Sequence, residues 1–139
     1  MINEALLYPV LALIGWTFVM WVWLYATRIP AIQKAQIDFE ELAKTGAPLV
    51  LPASVSRVAD NYNHLHEQPT IFYALALSAA MFGVTDGFVL TLTWLYVGIR
   101  IAHSLIQAIS NPIFVRFITF SVGSLVLFLL FLRTVFLVL

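Results

Sequence analysis

No cysteine occurs in this sequence, which excludes disulfides, thiolate metal sites and cysteine nucleophiles outright. Charge is almost as scarce: only 10% of the 139 residues are Asp, Glu, Lys or Arg, where a soluble domain carries about 25%. Neither sign dominates, because seven basic residues balance seven acidic ones. That balance removes the electrostatic footprint of a nucleic-acid binder, so no nucleic-acid partner is expected. Three histidines are the only nitrogen ligands or near-neutral titrating groups available. There is no internal repeat, no low-complexity segment, no glycine-rich phosphate loop and no Ser-His-Asp arrangement.

What the chain does have is hydrocarbon: 62% of its residues are hydrophobic and its mean hydropathy is +0.96. Too few polar side chains remain to cover a water-facing surface. The composition therefore predicts an all-α integral membrane protein, with lipid as the solvent for much of its surface. A single domain over 1–139 is expected, with four spans at about 6–26, 57–84, 88–109 and 113–138 and a polar connection at about 27–53. The first run, Leu6 to Ala26, is uncharged and ends near Trp21, Trp23 and Tyr25, an interfacial aromatic belt. Glu4 rather than a basic cluster precedes it, and no small-residue cleavage pattern follows, so it reads as a span and not a signal peptide.

The second span begins polar at Ser54 to Gln68 and turns apolar from Pro69 to Val84, so its polar turns must line a protein-protected surface. Asp86-Gly87 and Asn111-Pro112 separate the last three spans as short turns, which makes neighbouring helices antiparallel. In the long connection, Ile32, Ala35, Phe39 and Leu42 recur at helical spacing before a Gly46-Ala47-Pro48 break, the pattern of either a loop or a short interfacial helix. In the fourth span Arg116 and Arg133 flank an uncharged stretch and can reach opposite interfaces. Arg28, Lys34, Lys44, Arg57 and Arg116 border the first and third connections, against Arg133 on the other side. The positive-inside rule then places those connections in the cytoplasm and both termini outside.

Charges within a span face a bundle interior, a cavity or a partner. Arg100 is the clearest case. Arg100, His103 and Gln107 share a helix stripe at i, i+3, i+7, and Asn63, Glu67 and Asp60 make a second one. Counting from the Asp86 turn, Arg100 lies ~21 Å deep, His103 ~25 Å and Glu67 ~28 Å. An antiparallel pair therefore places Glu67 between Arg100 and His103, with Asn63 facing Gln107. One reading is that Glu67 and Arg100 simply neutralise each other. The other is a ligand site, because the polar groups outnumber what one ion pair needs, and a basic rim of Arg57 and Arg116 would suit an anionic, peptide-like small molecule. His64-x-His66-Glu67 looks like metal-ligand spacing, but i and i+2 point roughly 200° apart on a helix, so no metal site is assigned.

At these residues the sequence resembles the MAPEG family, the membrane-associated proteins of eicosanoid and glutathione metabolism. The segment from Arg57 through Asn61, Asn63 and Glu67 to Pro69 and Phe72 is similar to the family's second-helix signature. Arg100-Ile-Ala-His103 is similar to its arginine-x-x-histidine motif, and Arg116 to the basic residue that follows. The resemblance implies a homotrimer of four-helix subunits, with a glutathione or lipid site between neighbours that opens to the cytoplasm. It implies Arg57, Glu67, Arg100, His103 and Arg116 as glutathione contacts. Asn61 and Asn63 stand in for a family asparagine whose position His64 occupies. Gln107 stands where family glutathione enzymes usually carry a tyrosine, and Pro69 follows Glu67 unusually closely. These departures suggest a divergent, bacterial-type member, in the inner membrane.

Two functions remain open. In the first, a glutathione-dependent transferase or peroxidase acts on hydrophobic or lipid electrophiles. Arg100 and Arg116 would bind and polarise, and Gln107 or Ser104 would contact the sulfur. In the second, a non-catalytic module binds lipid or a partner membrane protein. Ion transport is a distant third, since no sustained acidic pathway is visible.

Overall fold

A computed structural model describes all 139 residues, and every regular element in it is a helix. A 3₁₀ turn at Glu4–Leu6, capped by the Asn3 side chain, leads into α1 (Leu7–Ala35). The remaining helices are α2 (Phe39–Thr45), α3 (Ala53–His64), α4 (Gln68–Met81), α5 (Gly87–Ile109) and α6 (Ile113–Val138).

α1 runs past the expected end of its span, carrying Pro30 within it, until Gln36 takes a left-handed conformation (φ 48°). The amphipathic pattern of the connection is thereby split: Ile32 and Ala35 belong to α1, and only Phe39 and Leu42 to α2. Asp38 caps α2 by accepting from the Glu40 and Glu41 amides, and Gly46 (φ 65°) ends it where the Gly-Ala-Pro break is expected.

The largest departure concerns the second span. It is two helices, not one. The chain leaves helical geometry at Leu65-His66-Glu67, where His66 N–H donates to Asn63 and Glu67 adopts φ −94°, ψ −101°. Pro69 supplies the reason. It has no amide to donate to the Leu65 carbonyl, and its ring would collide with that oxygen in a continuous helix. Near the start of a new helix the same residue is favourable, because an orphan donor is no loss there.

Three helices are long and apolar enough to cross a membrane: the segment Glu4–Ala35 that contains α1, then α5 and α6. With 14 residues, α4 is ~21 Å long and does not reach that length without α3.

Asn3 N–H donates to the Ala80 carbonyl and its side-chain amide to that of Val84, which pins the N-terminus to the α4–α5 turn. Asp86 caps α5 through the Val89 amide and receives Arg133 of α6 at 2.6 Å. Both termini and the α4–α5 turn thus gather at one end, which we call the closed end. A core of Leu13, Phe72, Val89, Tyr96, Leu127 and Leu130 lies beneath it. Phe72 stacks on Tyr96 with ring centroids 4.7 Å apart. At the opposite end a smaller cluster of Met20, Val58, Leu65 and Ala108 joins α1, α3 and α5. Many large apolar side chains of α1 and α6 point outward, among them Phe18, Phe128, Phe131 and Phe136, as lipid-facing surfaces require.

Candidate functional site

A cleft of about 530 Å³ opens at the end opposite the termini, between α3, α5 and α6. α3 contributes Asp60, Asn63 and His64, and the helix break contributes Glu67. His103 and Gln107 come from α5, one turn apart and therefore on one face. α6 contributes Arg116 with Ile113, Phe117 and Phe120. The sequence stripe on α5 is thus real, and Asn63 and Gln107 do line the same space.

The pairing within it differs from the sequence expectation. Glu67 does not lie between Arg100 and His103. The break turns its side chain outward, 64% exposed, where it meets His64 Nδ1 at 2.6 Å. Arg100 is 1% exposed and donates from Nη2 to the His64 backbone carbonyl at 3.1 Å, an α3-terminal carbonyl that otherwise accepts only the Glu67 amide of the turn at 3.4 Å. Its Nε and Nη1 have no protein partner. Asn61 is fully buried on the interior face of α3, away from the cleft, with neither amide atom paired. Arg57 is half-buried and also outside the cleft. Ser104 is fully buried and does not line it either. His66 points away from it, toward Tyr62 and a separate groove beside α1.

Arg100 Nε and Nη1, both nitrogens of His103, Ser104 Oγ and Gln107 Oε1 form a row of sealed polar atoms without protein partners. Each such atom costs about 1–3 kcal/mol relative to a paired one. A row of them on one helix stripe is a poor arrangement for stability and marks a place where function governs the choice of residue. Arg116 Nη1 donates to Asn111 Oδ1 at 2.8 Å, which aims the guanidinium across the cleft mouth.

The aromatic wall went unread in the sequence. Phe120 stacks on His64 with centroids 5.4 Å apart and lies 6.2 Å from His103, whose own ring is 5.2 Å from His64. Its signal was spacing: Phe120 follows Arg116 by one helical turn and must share its face. Gln68 was missed as well. It accepts from Tyr96 Oη at 3.2 Å and donates to Ser124 Oγ at 2.7 Å, tying the start of α4 to α5 and α6.

A cationic rim, two imidazoles, two amides, two carboxylates and an aromatic wall can hold a zwitterionic molecule that carries an apolar part. No curated protein and no solved structure gives a significant match to the chain. A family match does exist, and it covers residues 6–136. With its three long apolar helices, the chain is a multi-pass membrane protein that belongs to the MAPEG family.

Proposed function

We propose that this protein binds glutathione in the cleft and acts as a transferase or peroxidase on hydrophobic or lipid electrophiles. The observation that carries this is the mixed charge of the lining. Arg116 suits a carboxylate, Asp60 and Glu67 suit an ammonium group, and the amides of Asn63 and Gln107 suit a peptide backbone. The phenyl rings of Phe117 and Phe120 give an electrophile an apolar bed. Arg100, sealed beneath, adds positive charge in a low-dielectric setting where it favours a thiolate.

In this reading α3 and α4 together make the fourth crossing. The subunit is part of a homotrimer, and a neighbour completes the cleft. Asp60, Asn63 and Glu67 are exposed polar side chains at its edge, a costly surface to leave against lipid. The distribution of basic residues turns the cleft toward the cytoplasm of a bacterial inner membrane, with both termini outside.

Gln107 favours a second reading. No tyrosine lines the cleft, and an amide can donate to sulfur but cannot exchange a proton with it. A non-catalytic module that holds lipid or a partner membrane protein would use the same groups for binding alone. Calorimetric titration of the detergent-purified protein with glutathione tests the first reading. Saturable binding is expected, and its absence would leave the lipid or partner module.

A further inference from the structure

We propose that His64 and Glu67 form an imidazole–carboxylate dyad in which His64 Nε2 is the base that takes the proton of a bound thiol. The proposal rests on the cleft being a thiol-peptide site and supplies the proton acceptor that Gln107 cannot provide.

The helix break creates the dyad. α3 ends at His64, and the short turn that follows brings Glu67 back beside it, Oε2 to Nδ1 at 2.6 Å. A carboxylate only accepts, so Nδ1 is the donor to Glu67, and Nε2 is the nitrogen left to act as the base. Nε2 makes no protein hydrogen bond. Unlike both nitrogens of His103, it is not sealed from the cleft, and the side chain is 23% exposed. Two contacts hold the ring and a third holds its backbone. Glu67 fixes one edge, Phe120 covers one face at an interplanar angle of 27°, and the Arg100 guanidinium holds the backbone carbonyl.

His103 is the competing imidazole, and it is less suited. It is 1% exposed, and no carboxylate orients either nitrogen. The charged and titratable groups around His64 are Asp60 from its own helix, Glu67 from the break, Arg100 and His103 from α5, and Arg116 from α6. Arg116 sits across the same cleft, placed to stabilise a thiolate once the proton has left.

The step balances without a further reactant. His64 Nε2 takes the proton as the S–H bond breaks, and the sulfur electron pair forms a C–S bond to the electrophile. With an epoxide the C–O bond breaks in the same event, and the imidazolium returns its proton to the alkoxide. His64 would be a catalytic residue, and Glu67 a positioning residue that sets its tautomer.

The test uses the whole purified protein with glutathione and a lipophilic aryl epoxide. Calorimetry reads affinity, ultraviolet difference absorbance reads bound thiolate across pH, and product formation reads turnover. His64→Gln is expected to keep glutathione affinity within about threefold while kcat/KM falls about 100-fold, the scale of general-base catalysis. Its neutral-pH thiolate signal and the acid limb of the pH profile should disappear. Glu67→Gln leaves the imidazole in place and should lower kcat/KM about tenfold with a displaced acid limb, while Glu67→Asp restores both in part. If the wild-type protein fails to bind glutathione, the site reading falls and the dyad with it. Should it bind and turn over while His64→Gln leaves thiolate and pH profile unchanged, the dyad alone is overturned. Wild-type binding with neither thiolate nor turnover also overturns the dyad and leaves a binding site.

Discussion

The two ends of the bundle treat their polar groups in opposite ways. At the closed end most of them find a partner: Asn3 with Val84, Asp86 with Val89 and Arg133, and the Gly83 amide with Ala80, which leaves the Arg133 Nε as the one unpaired atom of that group. At the cleft end Arg100 satisfies one of its nitrogens, His103 neither, and Asn61 neither amide atom. Both ends are built by the same kinds of helix termini and short turns. The contrast teaches that the closed end is organised for cohesion, whereas the cleft end keeps polar groups at an energetic cost because another role requires them.

The largest effect that could break this contrast is at Arg100. A buried, incompletely paired cation contributes little to stability, and an apolar residue of similar shape often serves as well. Arg100→Met is therefore expected to leave the melting temperature in detergent unchanged or higher, while glutathione affinity falls about 100-fold through loss of buried charge. Unchanged affinity with a lower melting temperature would reverse the assignment and make Arg100 a structural residue.

A smaller effect, of opposite kind, is expected at the closed end. Gly83 has φ +69°, and a Cβ there would run into the Met1 carbonyl oxygen. Gly83→Ala should cost about 1–2 kcal/mol, from left-handed strain and displacement of the N-terminal segment. Chemical unfolding in mixed micelles would measure it, and glutathione titration should show no change. A matching loss of affinity would mean that the two ends are coupled.

The smallest effect concerns Asp86. The Arg133 hydrogen bond first, and then the Val89 amide, hold its carboxyl below the usual carboxylate range. A depressed carboxyl contributes stability that is present above its unfolded-state pKa and lost as pH falls through the lower folded-state value. The melting temperature should therefore decline modestly as pH drops through about 4, and the decline should shrink in high salt. Asp86→Asn should flatten that slope. An equally steep slope in the variant would place the acid sensitivity elsewhere.

Several features were legible because they are local. The limits of α5 and α6 follow from Asp86, an N-cap residue, and from Asn111-Pro112, where Asn111 takes φ 53° and Pro112 begins the next helix. The α5 stripe of Arg100, His103 and Gln107 needs only helical periodicity, and His103 and Gln107 do meet in the cleft. The break at Glu67 was not read, although Pro69 was in view. The polar residues before it suggested continuous helical stripes, and those stripes put Glu67 beside Arg100. Asn61 and Asn63 show the same difficulty from another side. Two residues apart on a helix, they face apart, and only packing against α5 decided that Asn63 enters the cleft while Asn61 is buried.

By itself the sequence determined the solvent and the local geometry. Scarce charge and long apolar runs require lipid, and runs of that length in lipid form helices, because each helix pairs its own backbone groups where hydrocarbon cannot. It also determined which residues share a helix face, since 3.6 residues per turn is a property of one helix alone. The tertiary structure decided partnership: Glu67 with His64, Arg100 with the His64 carbonyl at the end of α3, Arg133 with Asp86. Those choices depend on the register between helices and on where a helix stops. Both are set by packing many side chains together, and no single stretch of sequence carries that information.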